Sequence, residues 1–424
     1  MISMSELLLR TAEMHENLRA RNIHIDLGLL ANYHAAHLNA RSALEALQAR
    51  SNRLTKTLAH LNADDREAGL AEANVLKNSI AEARKLSDAA SARYFDLLKA
   101  LPNWKSPDVP NGKTDADNAI IRSWGKPAEL LFSARDHVAI GEALGLIDFP
   151  SGRKVSGSKC YFLRNEAVIL QHALKNYVFR LLIEEGFIPL STPDFAYDHI
   201  LEGVGFSPRG LESNTYRLEG LDKSLIATAE ICVGGMHSNE TIGFDRLPLC
   251  YVAESHCFRR EAGAAGQSSK GLYRVHQFEK IELFVICEPG QSEQQHDRIL
   301  SIQEKIYQGL GIPYRVVVNC SGDLGAPAYK KYDIEAWMPG KGAGEYGEVT
   351  SASNCTDYQA RRLGIRYRPA DNAKPRYVHT LNGTALALGR TMVAIMENFQ
   401  QPDGSFMVPE ALRAYMGREF IGRD

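Results

Sequence analysis

Tyr273 to Ile286 reads YRVHQFEKIELFVI, and the way this stretch alternates decides what kind of domain the chain builds. A period of two sets Arg274, His276, Phe278, Lys280 and Glu282 on one face and Val275, Gln277, Glu279, Ile281, Leu283 and Val285 on the other. Neither set is an ordinary solvated face. A cation, an aromatic plate and a carboxylate in a row suit a polar ligand with a flat ring, because guanidinium pairs with phosphate and an aromatic face stacks a base. An edge strand guarded by charges carries a similar pattern.

Just upstream, Arg259–Gly271 (RREAGAAGQSSKG) joins two strands and does not open a helix after a strand. That excludes a dinucleotide G-x-G-x-x-G and a P-loop, and leaves a mobile hairpin with a cationic base, a form ordinary surface loops share. Further strands are expected near Phe187–Pro189, Leu249–Phe258 and Tyr314–Val318, with helices near Asn165–Glu185, Ser292–Gly309 and Ala385–Phe399. No regular strand–helix alternation appears, so the domain is α+β around a mainly antiparallel sheet and not a Rossmann fold. The segment Ala385–Phe399 is apolar almost all round, which marks a buried helix with Arg390 in its middle. A buried guanidinium needs a carboxylate or a bound anion, and an internal salt bridge would serve.

Toward the N-terminus the period changes. Leu44, Leu47, Ser51, Leu54, Leu58 and Leu61 step by three and four, and after Asn62-Ala63-Asp64-Asp65-Arg66 a second seam runs Ala73, Leu76, Ile80, Ala83, Ser87, Ala90, Tyr94, Leu97, Leu101. Pro102 stops it. Two helices of about thirty residues, each about 45 Å long at 1.5 Å per residue, with a short connection make an antiparallel hairpin. From the heptads alone a dimerisation or scaffold element fits equally. Between Ala31 and Ala100 the arm carries ten Lys and Arg against eight Asp and Glu, so it lends phosphate binding little support. Pro102, Pro107, Pro110 and Gly112 read as a linker, which puts a domain boundary near residue 110.

The whole chain is consistent with this division. Its 424 residues suggest two or three domains, and 44% hydrophobic with 24% charged residues removes disordered, collagen-like and membrane classes. No run of eighteen apolar residues occurs, and Glu6, Glu13 and Glu16 near the start are unlike a secretory or transit signal, so a cytoplasmic address is expected. A formal charge of −2 excludes a globally basic nucleic-acid coat, and seven scattered cysteines with no C-x-x-C argue for reduced thiols, without a disulfide frame or zinc ribbon.

Three stretches, Phe258–Glu282 (FRREAGAAGQSSKGLYRVHQFEKIE), Gly347–Arg362 (GEVTSASNCTDYQARR) and His379–Arg390 (HTLNGTALALGR), follow Thr228-Ala229-Glu230 and the helical arm. In this order they resemble the bacterial-type seryl-tRNA synthetases, within the class II aminoacyl-tRNA synthetases. The resemblance covers essentially the whole chain. It implies an N-terminal antiparallel two-helix coiled-coil arm over residues 1–110 that binds tRNA, and a class II catalytic domain over 111–424. That domain would be built on an antiparallel sheet of six or seven strands flanked by helices. It also implies a homodimer with Pro193 in the dimer-forming motif, and no membrane or DNA partner. The implied reaction activates L-serine with ATP and transfers it to the 3′ end of tRNA(Ser), leaving room for tRNA(Sec) as a second acceptor.

Carried over position by position, Arg259 resembles the arginine on the ATP α-phosphate and serine carboxylate, with Arg260 beside it among the ATP contacts. Glu261 resembles the reader of the adenine amino group. Val275 would touch the nucleotide through its backbone, Phe278 would stack on adenine, and Arg274 and Arg390 would hold the terminal phosphates. Glu348 and Ser351 resemble a Mg²⁺-bridging pair, with Val349 and Thr350 lining the nucleotide. Thr228, Ala229, Glu230, Glu282, Asn382 and Thr384 resemble the serine pocket, Thr384 also reading as an N-cap. No general base is required, because the serine carboxylate is already a nucleophile and the task is to neutralise growing phosphate charge. Ala227, the run Ile231–Gly235 and Lys270 depart from the common pattern. They leave open a specialised or inhibitor-resistant paralogue, and a non-catalytic RNA-binding homologue is the rival of a different class.

Overall fold

The computed structural model describes residues 2–58, 63–207, 214–261, 270–370 and 372–422. The hairpin loop expected after Arg259 falls largely at 262–269, outside the described residues, as does Leu61 of the first seam. Two compact units emerge, Met1–Pro102 and Asn103–Asp424.

In the first unit, short helices at Met4–Leu9 and Thr11–Ala20 precede two long ones, α1 (Leu27–Leu58) and α2 (Ala63–Ala100). Asp26 accepts the Leu29 N–H at 3.0 Å, satisfying one of the donors that a helix start leaves unpaired. The two seams face each other. Leu76, Ser87 and Tyr94 are buried, and Leu44, Leu47, Ser51 and Leu54 are half-buried, as expected where only one partner helix covers each residue. His37 meets Ser91 at 3.0 Å and Arg50 meets Glu72 at 2.5 Å, so the helices run antiparallel with residue numbers that rise on one as they fall on the other.

The second unit is built on an eight-stranded sheet: β1 (Ala119–Trp124), β2 (Ile188–Ser191), β3 (Leu249–Phe258), β4 (Gln277–Cys287), β5 (Tyr314–Val318), β6 (Lys330–Met338), β7 (Glu345–Asn354) and β8 (His379–Ala387). Their order is β1-β5-β6-β7-β8-β4-β3-β2, antiparallel throughout except for the parallel edge pair β2–β3. This is one or two strands more than the six or seven expected, and the edge strand β1, exposed along its whole length, has no buried face to betray it in sequence. Helices α3 (Glu166–Glu184), α4 (Glu230–Met236), α5 (Ser292–Gly309) and α6 (Leu388–Asn398) pack about the sheet. One core contains Ile281, Leu283 and Val285 with residues of α3, α5 and α6, while Phe284 and Ile286 join a second with residues of α4. The central strand is therefore buried on both sides.

Three expectations change. The apolar segment from Ala385 begins as the end of β8, and the helix starts only at Leu388, because a run buried on every side looks alike in strand and helix. Arg390 is thus in the first turn of α6, not its middle. Alternation does not extend through Tyr273–His276 either, since the strand starts at Gln277 after a 3₁₀ turn at Gly271–Tyr273. The proline-rich linker is strapped down within the second unit. Asn103 donates to Pro327 O and Cys355 O at 2.9 Å, Ser106 N–H to Tyr329 O at 2.9 Å, and Pro110 O accepts from Ser321 N–H at 2.9 Å.

Candidate active site

β7 and β8 pair only from Ala352↔Gly383 to Asn354↔Leu381, then part. Gln303, fully buried on α5, closes the gap beneath by donating to Ser351 O at 2.8 Å and Thr384 O at 2.9 Å. Above the gap opens a cavity of about 480 Å³. It is lined by Arg259, Glu261, Arg274, Val275, Phe278, Glu348, Val349, Thr350, Ser351, Arg390, Glu230, Asn382 and Thr384, drawn from five separate stretches of sequence. Thr228, Ala229, Arg260 and Glu282 stand outside this lining. Thr228 and Ala229 are buried under the start of α4, where Thr228 Oγ1 accepts the Glu230 N–H at 3.3 Å. The Arg260 backbone donates to Asn214 O at 2.9 Å, and Glu282 lies behind Lys280 and Thr384.

At one end the groups are cationic. Arg390 Nη1 meets Glu348 Oε1 at 3.3 Å and Glu348 O at 3.0 Å, and its guanidinium lies 4.7 Å from the centre of the Tyr273 ring. The salt bridge anticipated for Arg390 therefore exists, with a carboxylate that remains 43% exposed to the cavity. Burial opposes ionisation of Glu348, but Arg390, then Lys331 and Arg259, outweigh it and hold the carboxyl below its ordinary range. Arg259 lies over the Phe278 ring at 5.2 Å, and Arg274 forms an ion pair with Glu261.

A β-bulge settles how Glu348 and Ser351 can act together. Three residues apart on a regular strand, they would point to opposite faces. Thr350 pairs with Ile334 but Glu348 with Glu335, leaving Val349 as the extra residue. Glu348 and Ser351 thus stand opposite Glu335 and Asp333, which are two apart, and share one face.

The other end is a network of buried polar groups. Gln359 Nε2 and Asn382 Nδ2 both donate to Glu230 Oε1 at 2.7 Å, while Thr384 Oγ1 donates to Glu282 Oε2 at 3.3 Å and Lys280 pairs with Glu282 at 2.5 Å. Burial, then the charge of Glu282, push the Glu230 carboxyl up to about 7 against the Gln359 hydrogen bond and the Lys280 and Arg259 charges. Thr384 is not an N-cap: it is in β8, in register with Glu282.

Sequence reasoning missed Lys331, Tyr273 and Gln359, and gave Lys280 no role. Lys280 was visible on the polar face of β4, and Lys331 with Asp333 and Glu335 forms a similar polar face in KKYDIEAWM. Gln359 has no periodic signal.

Residues 216–399 match the family described as the tRNA synthetase class II core domain (G, H, P, S and T), which with this sheet and cleft defines the class. Residues 1–105 match the seryl-tRNA synthetase N-terminal domain. The chain is 49% identical over 408 residues to the serine–tRNA ligase of Treponema denticola and 49% over 409 residues to that of Rubrobacter xylanophilus, covering 96% of both chains in each case. The structure of seryl-tRNA synthetase from Pyrococcus horikoshii complexed with ATP is similar with a TM-score of 0.87 and 38% identity, over 100% of both chains. That of the cytoplasmic serine–tRNA ligase from Naegleria fowleri in complex with AMP gives 0.78 and 33%, over 97% of this chain and 95% of the other. The chain belongs to the seryl-tRNA synthetase family.

Proposed function

We propose that the cavity condenses L-serine with ATP and passes the seryl group to the 3′ end of tRNA(Ser): the chain is a serine–tRNA ligase. The observation that carries this reading is the division of one cavity into a cationic end and a buried carboxylate end. Arg259, Arg274 and Arg390 neutralise the triphosphate and the charge that develops as the serine carboxylate attacks the α-phosphorus and pyrophosphate leaves. Phe278 stacks on adenine, Val275 meets the nucleotide through its backbone, and Glu261 reads the adenine amino group after releasing Arg274. Arg260, Val349 and Thr350 complete the nucleotide contacts. Glu230, assisted by Asn382, takes the serine ammonium, and Glu282 with Thr384 takes the hydroxyl, while Thr228 and Ala229 support the pocket from below. In the transfer step the tRNA hydroxyl attacks the seryl carbonyl and AMP leaves.

The residues fit a magnesium ion carried in by ATP. No cluster of three or more His, Cys, Asp or Glu could hold a metal among the described residues, and magnesium sites of this kind use one or two carboxylates plus phosphates. Glu348, ionised and partly exposed, with Ser351 on the same face, would hold it. Bound there, the ion would supply charge neutralisation between phosphates.

The unit Met1–Pro102 acts as the tRNA arm, and the catalytic domain expected over 111–424 takes in the linker from Asn103 as well. The chain works as a homodimer through the region of Pro193, in the cytoplasm. No helix among the described residues is long and apolar enough to cross a membrane. Serine-dependent ATP–pyrophosphate exchange tests the activation step and tRNA(Ser) charging the second. Exchange without charging would select the specialised paralogue, and absence of both would select a non-catalytic homologue.

A further inference from the structure

Outside the cavity lies a buried His–carboxylate pair that the reaction does not use. His137, the first residue of a helix at His137–Ala143, and Glu397, near the end of α6, have side chains only 6% and 2% exposed. Glu397 Oε1 accepts from His137 Nδ1 at 2.8 Å and from the His137 backbone N–H at 3.0 Å, while Oε2 accepts the Gly340 N–H at 2.9 Å. With Nδ1 donating to the carboxylate, Nε2 keeps its lone pair and accepts the Leu272 N–H at 3.2 Å. The ring sits so close that any Cβ at Gly271 would collide with Nε2, and Gly271 has φ +65°, where a side chain would in any case be strained.

Leu272 leads directly into Tyr273, Arg274 and Val275. These three precede β4, so no strand ladder holds them. Tyr273 is also tied to the nucleotide end through its hydroxyl on Glu348 O at 3.0 Å and its carbonyl on Arg390 Nε at 3.4 Å, and the Arg274 side chain pairs with Glu261. We propose that His137 is a positioning residue for ATP: through Leu272 it sets the backbone that presents Arg274 and Val275, while Glu397 fixes the ring in the one tautomer able to do so. This rests on the assignment of that end of the cavity to ATP.

Two substitutions separate the ring's two bonds. His137→Asn places an amide donor toward Glu397 but no acceptor at Leu272. It raises KM for ATP about tenfold in pyrophosphate exchange, as loss of one hydrogen bond from a binding element does, with KM for serine unchanged. His137→Gln reaches Leu272 with its amide oxygen and restores KM for ATP toward that of the parent, at a lower melting temperature because Glu397 loses a donor. Nitrogen shifts of the labelled parent show His137 protonated on Nδ1 and bare on Nε2, which is read without any turnover. The opposite tautomer overturns the proposal, as does an Asn variant with parental KM for ATP or one whose ATP and serine KM rise together. Absence of serine-dependent exchange in the parent would instead overturn the functional reading and leave the tautomer to decide the positioning claim.

Discussion

Gln359 donates to Glu230 Oε1 at 2.7 Å, and its own amide oxygen accepts the Thr380 hydroxyl at 2.7 Å. Gln359 Nε2 also donates to Val204 O at 3.0 Å, an oxygen that can only accept, so the nitrogen end of the buried amide is fixed toward Glu230, which lines the cavity. Gln359→Leu removes a donor to the ionised form. We expect KM for serine to rise about tenfold or more, the effect of one charge-assisted hydrogen bond, with KM for ATP unchanged. Equal loss of both would show that the network holds the fold and not the ammonium site.

The Glu230 carboxyl also predicts a pH profile. Because it titrates at about 7 and must be ionised to hold an ammonium, kcat/KM for serine should rise with pH through about 7 in the free enzyme and then level. Its effect on stability has the opposite sign. Between the ordinary value of 4.5 and about 7 the folded chain keeps a proton that the unfolded chain has released. Stability from this group is full below 4.5 and is lost as pH rises through that window. Glu230→Gln should remove both dependences, and a profile unchanged in that variant would assign the titration elsewhere.

Arg259→Ala and Arg390→Ala should each lower pyrophosphate exchange by about two to three orders of magnitude, as loss of a charge-stabilising donor does. Arg390 is also paired with Glu348, but that carboxylate is 43% exposed and can be rehydrated. Melting of Arg390→Ala should therefore fall little while activity collapses. Near-normal exchange in either variant would remove that arginine from the reaction.

Cross-helix contacts set where the arm can be shortened. His37 opposite Ser91 and Arg50 opposite Glu72 place Leu44 near Glu82, so deleting Glu45–Ala81 with a short linker removes the tip at matched register. Exchange should be retained and tRNA(Ser) charging lost, since every group of the cavity lies in Asn103–Asp424. With ten basic residues against eight acidic ones in the arm, charging should also show a shallow salt dependence. Collapse of exchange in a folded deletion variant would refute the division of labour.

What could be read in advance follows from how the signal arises. Leu249–Phe258, Ser292–Gly309 and Tyr314–Val318 fall where expected because period or punctuation defines both their ends. Leu386 and Leu388 could not be separated into strand and helix, since both are buried and periodicity needs an exposed face to register. Glu348 and Ser351 came from the resemblance alone. Strand parity argues against them, and only the bulge at Val349, invisible in sequence, reconciles the two. Gln359, Lys331 and His137 act through neighbours more than a hundred residues away or across a sheet, and no local pattern announces such partners.

Thr384 offers the sharpest test of amino-acid choice. It is in β8 opposite Glu282, its hydroxyl 3.3 Å from Glu282 Oε2, and α6 begins four residues later, so a capping role is excluded by position. Valine keeps the β-branched shape that suits a strand and removes only the hydroxyl. Glu282 would still be paired with Lys280, so Thr384→Val should melt close to the parent. A pocket that hydrogen-bonds a hydroxyl rejects an analogue lacking it by as much as about 10⁴-fold, because its polar groups are left unpaired. Removing one of the two proposed partners should cut the preference for serine over alanine in pyrophosphate exchange by about one to two orders of magnitude, with KM for ATP unchanged. Thr384→Ser, which retains the hydroxyl, should preserve the preference. If Thr384→Val folds and keeps the parental serine-to-alanine ratio, the hydroxyl of serine is read elsewhere and Glu282 no longer belongs to its pocket.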